Sequence, residues 1–276
     1  MKRALALTAA LLVPFVTPAL PSASAAPSPA SVAAAVQDPK EQKDQKPDER
    51  ADVKEWITKL HEHAGKRGKE DQEAIKIIDE NLLKEFENFG PKDRVAVVKA
   101  LDKLFNEKRQ EDEDGVRQNS LYIAAAVALG RMGPESAPVL IPWIGHKAHK
   151  KDVLLQRKLI ESLGRTKVEA ARPVLIKLIT DDQPQVQAAA IQALGEYEGA
   201  ELKQRKECFE AVLKHAMSLK GQVDSNPNDL IARERQDAVV GPAMTTLKRL
   251  SGADEPDLNA WQRWWNKNKK EDWAKK

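Results

Sequence analysis

The sequence predicts an all-α protein in which antiparallel helix pairs stack side by side into an α-solenoid. From residue 51 onward, apolar residues recur at the i, i+3, i+4 spacing that places them on one face of a helix. No stretch shows the convincing alternation of apolar and polar residues that would indicate β-hairpins. A motif that ends in Leu-Gly occurs three times in the middle of the chain, and such repetition is typical of solenoids.

The composition excludes several classes of protein. The 276 residues contain 45 lysines and arginines and 42 aspartates and glutamates, which gives a formal charge of +3. Because binding to a phosphate backbone needs concentrated lysine and arginine, we expect no nucleic-acid partner. The single cysteine, Cys208, excludes a disulfide scaffold and a multi-cysteine zinc or iron–sulfur site. Its apolar neighbours predict a buried thiol rather than a nucleophile.

Residues 1–25 have the pattern of a secretory signal peptide. Lys2 and Arg3 precede an apolar run over residues 4–16, and residues 23–25 (Ala-Ser-Ala) supply a cleavage site. The apolar run is too short to span a bilayer, and no other stretch reaches the length of a transmembrane segment. We therefore expect a secreted or periplasmic protein without a transmembrane segment.

Residues 26–50 predict a disordered linker. The first part, residues 26–36, is rich in alanine, proline and serine, and residues 37–50 are charged or polar apart from two prolines. Neither part can bury enough apolar surface to offset the loss of chain entropy on folding. The folded part of the chain is therefore expected to begin at Ala51.

Residues 51–116 predict N-terminal helical repeats. Three apolar faces of helical spacing lie in this range, and they begin at Val53, Ile75 and Val95. Gly90-Pro91 stops the second face, as expected at the end of a helix. The acidic residues 111–114 and Gly115 interrupt the periodicity and predict a solvated loop.

Residues 117–220 contain the repeated motif. The glycines of Leu129-Gly130, Leu163-Gly164 and Leu194-Gly195 are 34 and 31 residues apart. The first two motifs precede matching segments, PVLIPWI from Pro138 and PVLIKLI from Pro173. Each unit is predicted to be a first helix, a tight left-handed turn at the glycine, and a second helix begun by proline.

These segments resemble HEAT-like repeats, in particular the short type also found in phycobilisome lyase proteins. The matching motifs are Ala125-x-x-Ala-Leu-Gly-x-x-Gly133-Pro and Asp181-Asp-x-Pro-x-Val, with its Ala-Leu-Gly195 ending. The resemblance implies a HEAT-like superhelix that serves as a protein-binding scaffold. Two departures are glutamines where the family often has arginine, at Gln156 and Gln187, and a proline inside a second helix, Pro142, which should kink or shorten it.

Residues 221–276 predict a C-terminal repeat and a tryptophan-rich cap. Residues 243–252 have the pattern of another repeat helix, and Trp261, Trp264 and Trp265 follow. This ending is similar to that of exported bacterial HEAT-like proteins. The tryptophans are interpreted as a structural cap over the end of the solenoid, which terminal repeats require. The alternative is a set of exposed indoles that stack on sugar rings or on a partner peptide.

The sequence contains no recognisable catalytic motif. Nucleophile-elbow, P-loop, dinucleotide-binding and zinc-protease patterns are all missing from it. His61 and His63 are two residues apart and would face different directions on a helix. His146 and His149, with Asp152 as a nearby third ligand, are interpreted as exposed loop residues rather than a metal site. We expect no catalytic residue, cofactor or metal.

The predicted function is that of a non-enzymatic, exported interaction scaffold. In α-solenoids the second helices usually line the inner surface, and Lys177 and Lys214 fall at one equivalent position of that surface. They predict a shallow basic stripe that meets an acidic peptide or protein. The alternatives are an enzyme or a lyase-like chaperone of cofactor attachment, as the resemblance permits, and a saccharide- or envelope-binding module that uses the C-terminal tryptophans.

Overall fold

The computed structural model describes residues 46–111 and 118–273. Within these ranges the chain forms eleven α-helices and no β-strand, and the described residues belong to one compact unit. The prediction of an all-α fold is confirmed. The proposed signal peptide, residues 26–45 of the proposed linker and most of the acidic loop lie outside the described residues.

The helices are numbered in chain order. They are α1 (Ala51–Ala64), α2 (Asp71–Lys76), α3 (Pro91–Leu104), α4 (Ser120–Met132), α5 (Ala137–Trp143), α6 (Val153–Arg165), α7 (Ala171–Leu178), α8 (Pro184–Leu194), α9 (Leu202–Ser225), α10 (Leu230–Ser251) and α11 (Leu258–Asn268). α2 continues into a π-helical segment, Ile77–Leu83, and short 3-10 turns lie at Phe86–Asn88, Pro134–Ser136 and Gly195–Gly199.

The helices form two layers, each a row of successive neighbours. The first layer contains α2 with its π-helical segment, then α4, α6, α8 and α10; the second contains α1, α3, α5, α7, α9 and α11. The helices before residue 112 continue the rows, because α2 packs on α4 and α3 packs on α5. The described chain is therefore an α-solenoid of stacked helix pairs, as the sequence predicts.

The second predicted apolar face, which begins at Ile75, does not form a single α-helix. It is divided between α2, the π-helical segment and the 3-10 turn that follows. Ile78, Leu82 and Phe86 lie four residues apart along it and are all buried. The wider turn of a π-helix keeps residues of that spacing on one face.

Gly130, Gly164 and Gly195 do not form the left-handed turns predicted for them. Gly130 and Gly164 lie inside α4 and α6, and Gly195 follows α8 with a right-handed φ of −63°. The prediction was wrong because these glycines serve close approach: a β-carbon on Gly164 would lie 2.7 Å from the β-carbon of Ala193. One on Gly195 would lie 3.2 Å from Oγ1 of Thr246. Each glycine lets its helix approach the next helix of the first layer.

The positive backbone angles expected at helix ends occur at other glycines. Gly133 follows α4 with φ 98°, and Gly252 follows α10 with φ 75°. Gly252 has the left-handed conformation, and its N–H bonds the carbonyl oxygen of Lys248. The shortening predicted at Pro142 is present, because α5 has seven residues and ends one residue after that proline.

The chain is packed before Ala51, where the linker was predicted to end. The side chain of Asp48 accepts hydrogen bonds from the backbone N–H groups of Lys92 (3.2 Å) and Asp93 (2.9 Å), at the start of α3. The N–H of Gly90 donates to the carbonyl oxygen of Pro47. Residues 46–50 thus differ from a disordered linker, because Asp48 satisfies helix N–H groups that otherwise have no partner.

Candidate functional site

The second layer presents one outward face across four neighbouring helices, α3, α5, α7 and α9. Exposed residues recur every three or four positions on each helix, opposite the side that packs on the first layer. We call this surface the second-layer face. Its exposed members include Lys99, Lys103, Pro138, Pro142, Pro173, Lys177, Glu207, Glu210 and Lys214.

Lys177 and Lys214, the two residues predicted to bind a partner, both lie on this face. Lys177 is exposed on α7 and Lys214 is exposed on α9, and neither forms an ion pair within the described chain. Lys214 shares its surroundings with Glu207 and Glu210 of the same helix. The predicted basic stripe therefore contains carboxylates beside its lysines. The equivalent positions of Lys177 and Lys214 in the repeats did not indicate these carboxylates.

A groove of about 650 Å³ lies between α7 and α9. Ile176, Ile179 and Ala211 contribute its apolar lining. Its polar residues are Thr180, Glu207, Glu210, Lys214, His215 and Ser218. Concave sites that combine an apolar lining with a few polar groups are the usual form of a binding site, and this groove is the feature of the second-layer face that could receive a side chain.

An ion pair fixes the two helices that border the groove. The guanidinium of Arg172 on α7 contacts the carboxylate of Glu207 on α9, and its other end lies 3.4 Å from Glu169. The side chain of Arg172 is nine-tenths buried. This bond joins neighbouring repeats across the groove, and the one guanidinium is shared between Glu207 and Glu169. Sequence analysis missed the pair, whose partners lie 35 residues apart.

His215 lies at the inner edge of the groove rather than on an open helix surface. Its Nε2 is 3.3 Å from Oε1 of Gln187 on α8. Burial, together with the charge of Arg235, lowers the pKa of His215 below its usual value. Both effects favour the neutral form of the imidazole.

Cys208 is fully buried beneath the same face, as its neighbours predicted. Burial raises the pKa of the Cys208 thiol to about 12. Because the thiolate is the reactive form of cysteine, both the burial and the raised pKa favour the unreactive thiol.

The C-terminal tryptophans surround Phe209 of α9. Ring centroids of Trp261, Trp264, Trp265 and Trp273 lie between 5.1 and 5.6 Å from that of Phe209. Trp261 is fully buried, and Trp265 and Trp273 are more than nine-tenths buried. Trp264 alone of this group is partly accessible. Sequence analysis identified neither Phe209 as the centre of the cluster nor Trp273 as a member.

His149, of the second histidine pair, has a structural partner. His149 is buried, with Nε2 2.8 Å from the carbonyl oxygen of Phe105, so its interpretation as an exposed loop residue was wrong. Aromatic rings of Phe105, Tyr122 and Trp143 pack around it, and this tertiary contact is what buries it. Asp152 accepts from the N–H of Leu155 at the start of α6. Among the described residues, no group of three or more His, Cys, Asp or Glu side chains is arranged to hold a metal ion.

The repeated part of the chain matches a known family. The model of the HEAT-repeat family matches residues 101–195 and, in an overlapping second match, residues 141–215. These ranges run from the end of α3 into α9 and include all of the residues that line the groove except Ser218. Neither the comparison with curated proteins nor that with solved structures gave a match. Within the described ranges, no helix is long and apolar enough to cross a membrane.

Proposed function

We propose that this protein is a non-enzymatic, exported scaffold that binds a protein partner on the second-layer face of a HEAT-like solenoid. HEAT repeats are in general a protein-interaction fold, and the family match covers three of the four helices of this face completely or in large part. The single observation that carries the proposal is the groove between α7 and α9, an apolar cleft bordered by charged side chains.

The chemistry of the described residues favours binding over catalysis. The thiol of Cys208 is buried and protonated, and His149 is engaged with a backbone carbonyl oxygen. A nucleophile needs an adjacent base and access to substrate. Export is supported by the signal-peptide pattern of residues 1–25, and the pattern would place the partner outside the cytoplasm.

The saccharide-binding alternative has less support than the scaffold. Stacking on a sugar ring requires an accessible indole face. Three of the four tryptophans around Phe209 are buried among themselves, and they fit the interpretation of a cap that shields the last repeat. An enzyme or lyase-like chaperone remains the other alternative, and bound pigment or turnover in the isolated protein would favour it.

Site-directed photocrosslinking tests the scaffold. A photoreactive amino acid is placed at Lys177 or Glu210, on the second-layer face, and at the exposed Thr245 of α10 in the first layer as a matched control. We expect adducts with a defined protein from the first two positions and none from Thr245. Equal adducts from all three positions, or none from the second-layer face, would contradict the proposal.

The export proposal has a separate test. The full chain is expressed in a bacterial host, the cytoplasmic and extracytoplasmic fractions are separated, and the N-terminal residue is determined by mass spectrometry. We expect a mature chain that begins at Ala26 in the extracytoplasmic fraction. An intact chain retained in the cytoplasm would show that residues 1–25 are not a signal peptide.

A further inference from the structure

Five lysines of the second-layer face form no ion pair within the described chain. They are Lys99 and Lys103 on α3, Lys177 on α7, and Lys203 and Lys214 on α9. Lys203 lies at the start of α9, and the other four lie further along their helices. Some lysines elsewhere on the described chain have carboxylate partners, among them Lys59 with Glu55 (2.6 Å) and Lys248 with Asp254 (2.7 Å). Of the carboxylates on the face, Glu207 shares the guanidinium of Arg172 with Glu169, and Glu210 lies one helical turn before Lys214 on α9. The exposed lysines of the face outnumber its exposed glutamates, so the net charge of the face is positive.

The charge is divided between the two ends of the face. α5, which lies between α3 and α7, has the sequence APVLIPW and contains no ionisable residue. Its exposed positions are the prolines Pro138 and Pro142. An uncharged strip thus separates the lysines of α3 from those of α7 and α9.

Two contacts fix α3 and α5 in parallel register. Arg94 pairs with Glu135 at 3.1 Å near the start of both helices, and Nε1 of Trp143 donates to Asp102 at 2.7 Å near their ends. Lys99 lies between these contacts on α3 and Pro142 between them on α5. The basic end and the uncharged strip are therefore side by side, within reach of one bound segment.

We propose that the partner segment is an extended peptide of about nine residues, acidic at both ends and apolar between them. Packed helices lie about 8–10 Å apart, so α3 to α9 spans about 27 Å, and an extended chain covers about 3.3 Å per residue. The terminal carboxylates meet Lys99 and Lys103 at one end and Lys177 and Lys214 at the other. The apolar centre crosses α5, and one apolar side chain enters the groove between α7 and α9.

The uncharged strip distinguishes this partner from a generic polyanion. A nucleic acid carries a phosphate at every nucleotide, so some of its charges would lie over α5, where no cation compensates them. An anionic membrane surface would likewise present charge along the whole face. The inference rests on the proposed function and adds the chemistry of the partner to it.

Peptide selection tests the proposal without knowledge of the natural partner. A library of random nine-residue peptides is selected on the isolated, immobilised protein, and the enriched sequences are compared position by position. We expect aspartate and glutamate at both ends and leucine, isoleucine or phenylalanine between them. Enrichment without positional preference, or enrichment of lysine and arginine, would overturn the proposal.

Charge reversal then tests the two ends separately. Selected peptides are titrated by fluorescence anisotropy against the wild type, the double variants K99E/K103E and K177E/K214E, and the control K59E/K248E, which reverses paired lysines elsewhere. Each test variant should lose about tenfold or more in affinity, since each surface pair contributes up to about a factor of five, and the control should lose little. Lysines at one end of the peptide should restore binding to one reversed variant.

Two outcomes would overturn the inference after a successful selection. One is equal binding of the peptides to the wild type and both test variants, with circular dichroism confirming that all are folded. The other is binding of duplex DNA or phosphatidylserine vesicles with the same dependence on the four reversed lysines, which would indicate a general anion surface. A crosslinked protein partner that lacks an acidic segment would overturn this inference and leave the scaffold proposal standing.

Discussion

Gly130 of α4 lies against Ser162 of α6 so closely that a β-carbon on the glycine would stand 2.6 Å from the β-carbon of the serine. Gly164 makes the same approach to Ala193 in the next repeat, and Gly195 approaches Thr246 in the one after. The three glycines therefore set the spacing of the first layer. Because each repeat rests on the next, this spacing is transmitted along the solenoid.

The first prediction concerns Gly164→Ala, which should reduce the free energy of unfolding by about 1–3 kcal/mol. The added methyl group would lie 2.8 Å from Cα and 2.9 Å from the carbonyl oxygen of Ala193, and backbone atoms cannot move aside cheaply. The matched control is Gly221→Ala in α9, where a β-carbon meets nothing within 4 Å. The control should gain about 0.5–1 kcal/mol from alanine's helix preference. Urea denaturation measures both, and a stable Gly164→Ala variant would show that the helices can separate there.

The second prediction concerns Phe209, the ring that four tryptophans surround. Phe209→Ala should lower the free energy of unfolding by about 3–5 kcal/mol, because it removes a fully buried aromatic side chain. It should also shift tryptophan emission to longer wavelength, since water would reach indoles that now contact the ring. Phe209→Leu should show a smaller effect of the same sign. Unchanged emission in the alanine variant would mean that the tryptophans are not packed on Phe209 in solution.

The third prediction concerns the single thiol. Cys208 should resist alkylation by iodoacetamide at pH 8 and react only when the protein unfolds, because burial holds its pKa at about 12. In the variant Lys214→Cys, the introduced thiol on the second-layer face should react rapidly while Cys208 does not. Peptide mapping by mass spectrometry distinguishes the two sites. Rapid labelling of Cys208 in the folded protein would contradict its position beneath the face.

The fourth prediction concerns the pH dependence of stability at His215. Its pKa in the folded protein is lowered by burial and by Arg235, whereas the unfolded chain binds a proton near pH 6.5. The stabilisation from neutral His215 is therefore present above about pH 6.5 and is lost as the pH falls through the folded-state pKa.

Replacement of this histidine should weaken that pH dependence. His215→Gln should flatten the decline in urea midpoint between pH 7.5 and pH 5, since glutamine can still bond Gln187 without gaining charge. His146→Gln, a substitution in the loop before α6, is the matched control. If both variants decline as steeply as the wild type, the folded-state pKa of His215 is not lowered.

Local pattern was sufficient to predict much of this protein. Helical periodicity located the helices, and the leucines that precede the repeat glycines, Leu129, Leu163 and Leu194, are all fully buried. These properties depend on residues three or four positions apart, which the sequence displays directly. The exposure of Lys177 and Lys214 followed from the same periodicity. Lys99 and Lys103 could have been found in this way, since they lie on the side of α3 opposite the buried Leu101 and Leu104.

Contacts between repeats could not be read from local pattern. Gly164 and Ala193, Arg172 and Glu207, and Phe209 with its tryptophans are all brought together by packing between residues roughly 30 or more positions apart. The glycine of a Leu-Gly pair can either adopt a left-handed turn or allow close contact with another helix. The position of the neighbouring helix decides which of the two occurs. The sequence by itself determined which segments become helices and, apart from positions such as the exposed Val95, which side of them is buried. The tertiary structure decided which helices meet, and so where the groove and its charges lie, because that depends on how the apolar sides of different helices fit together.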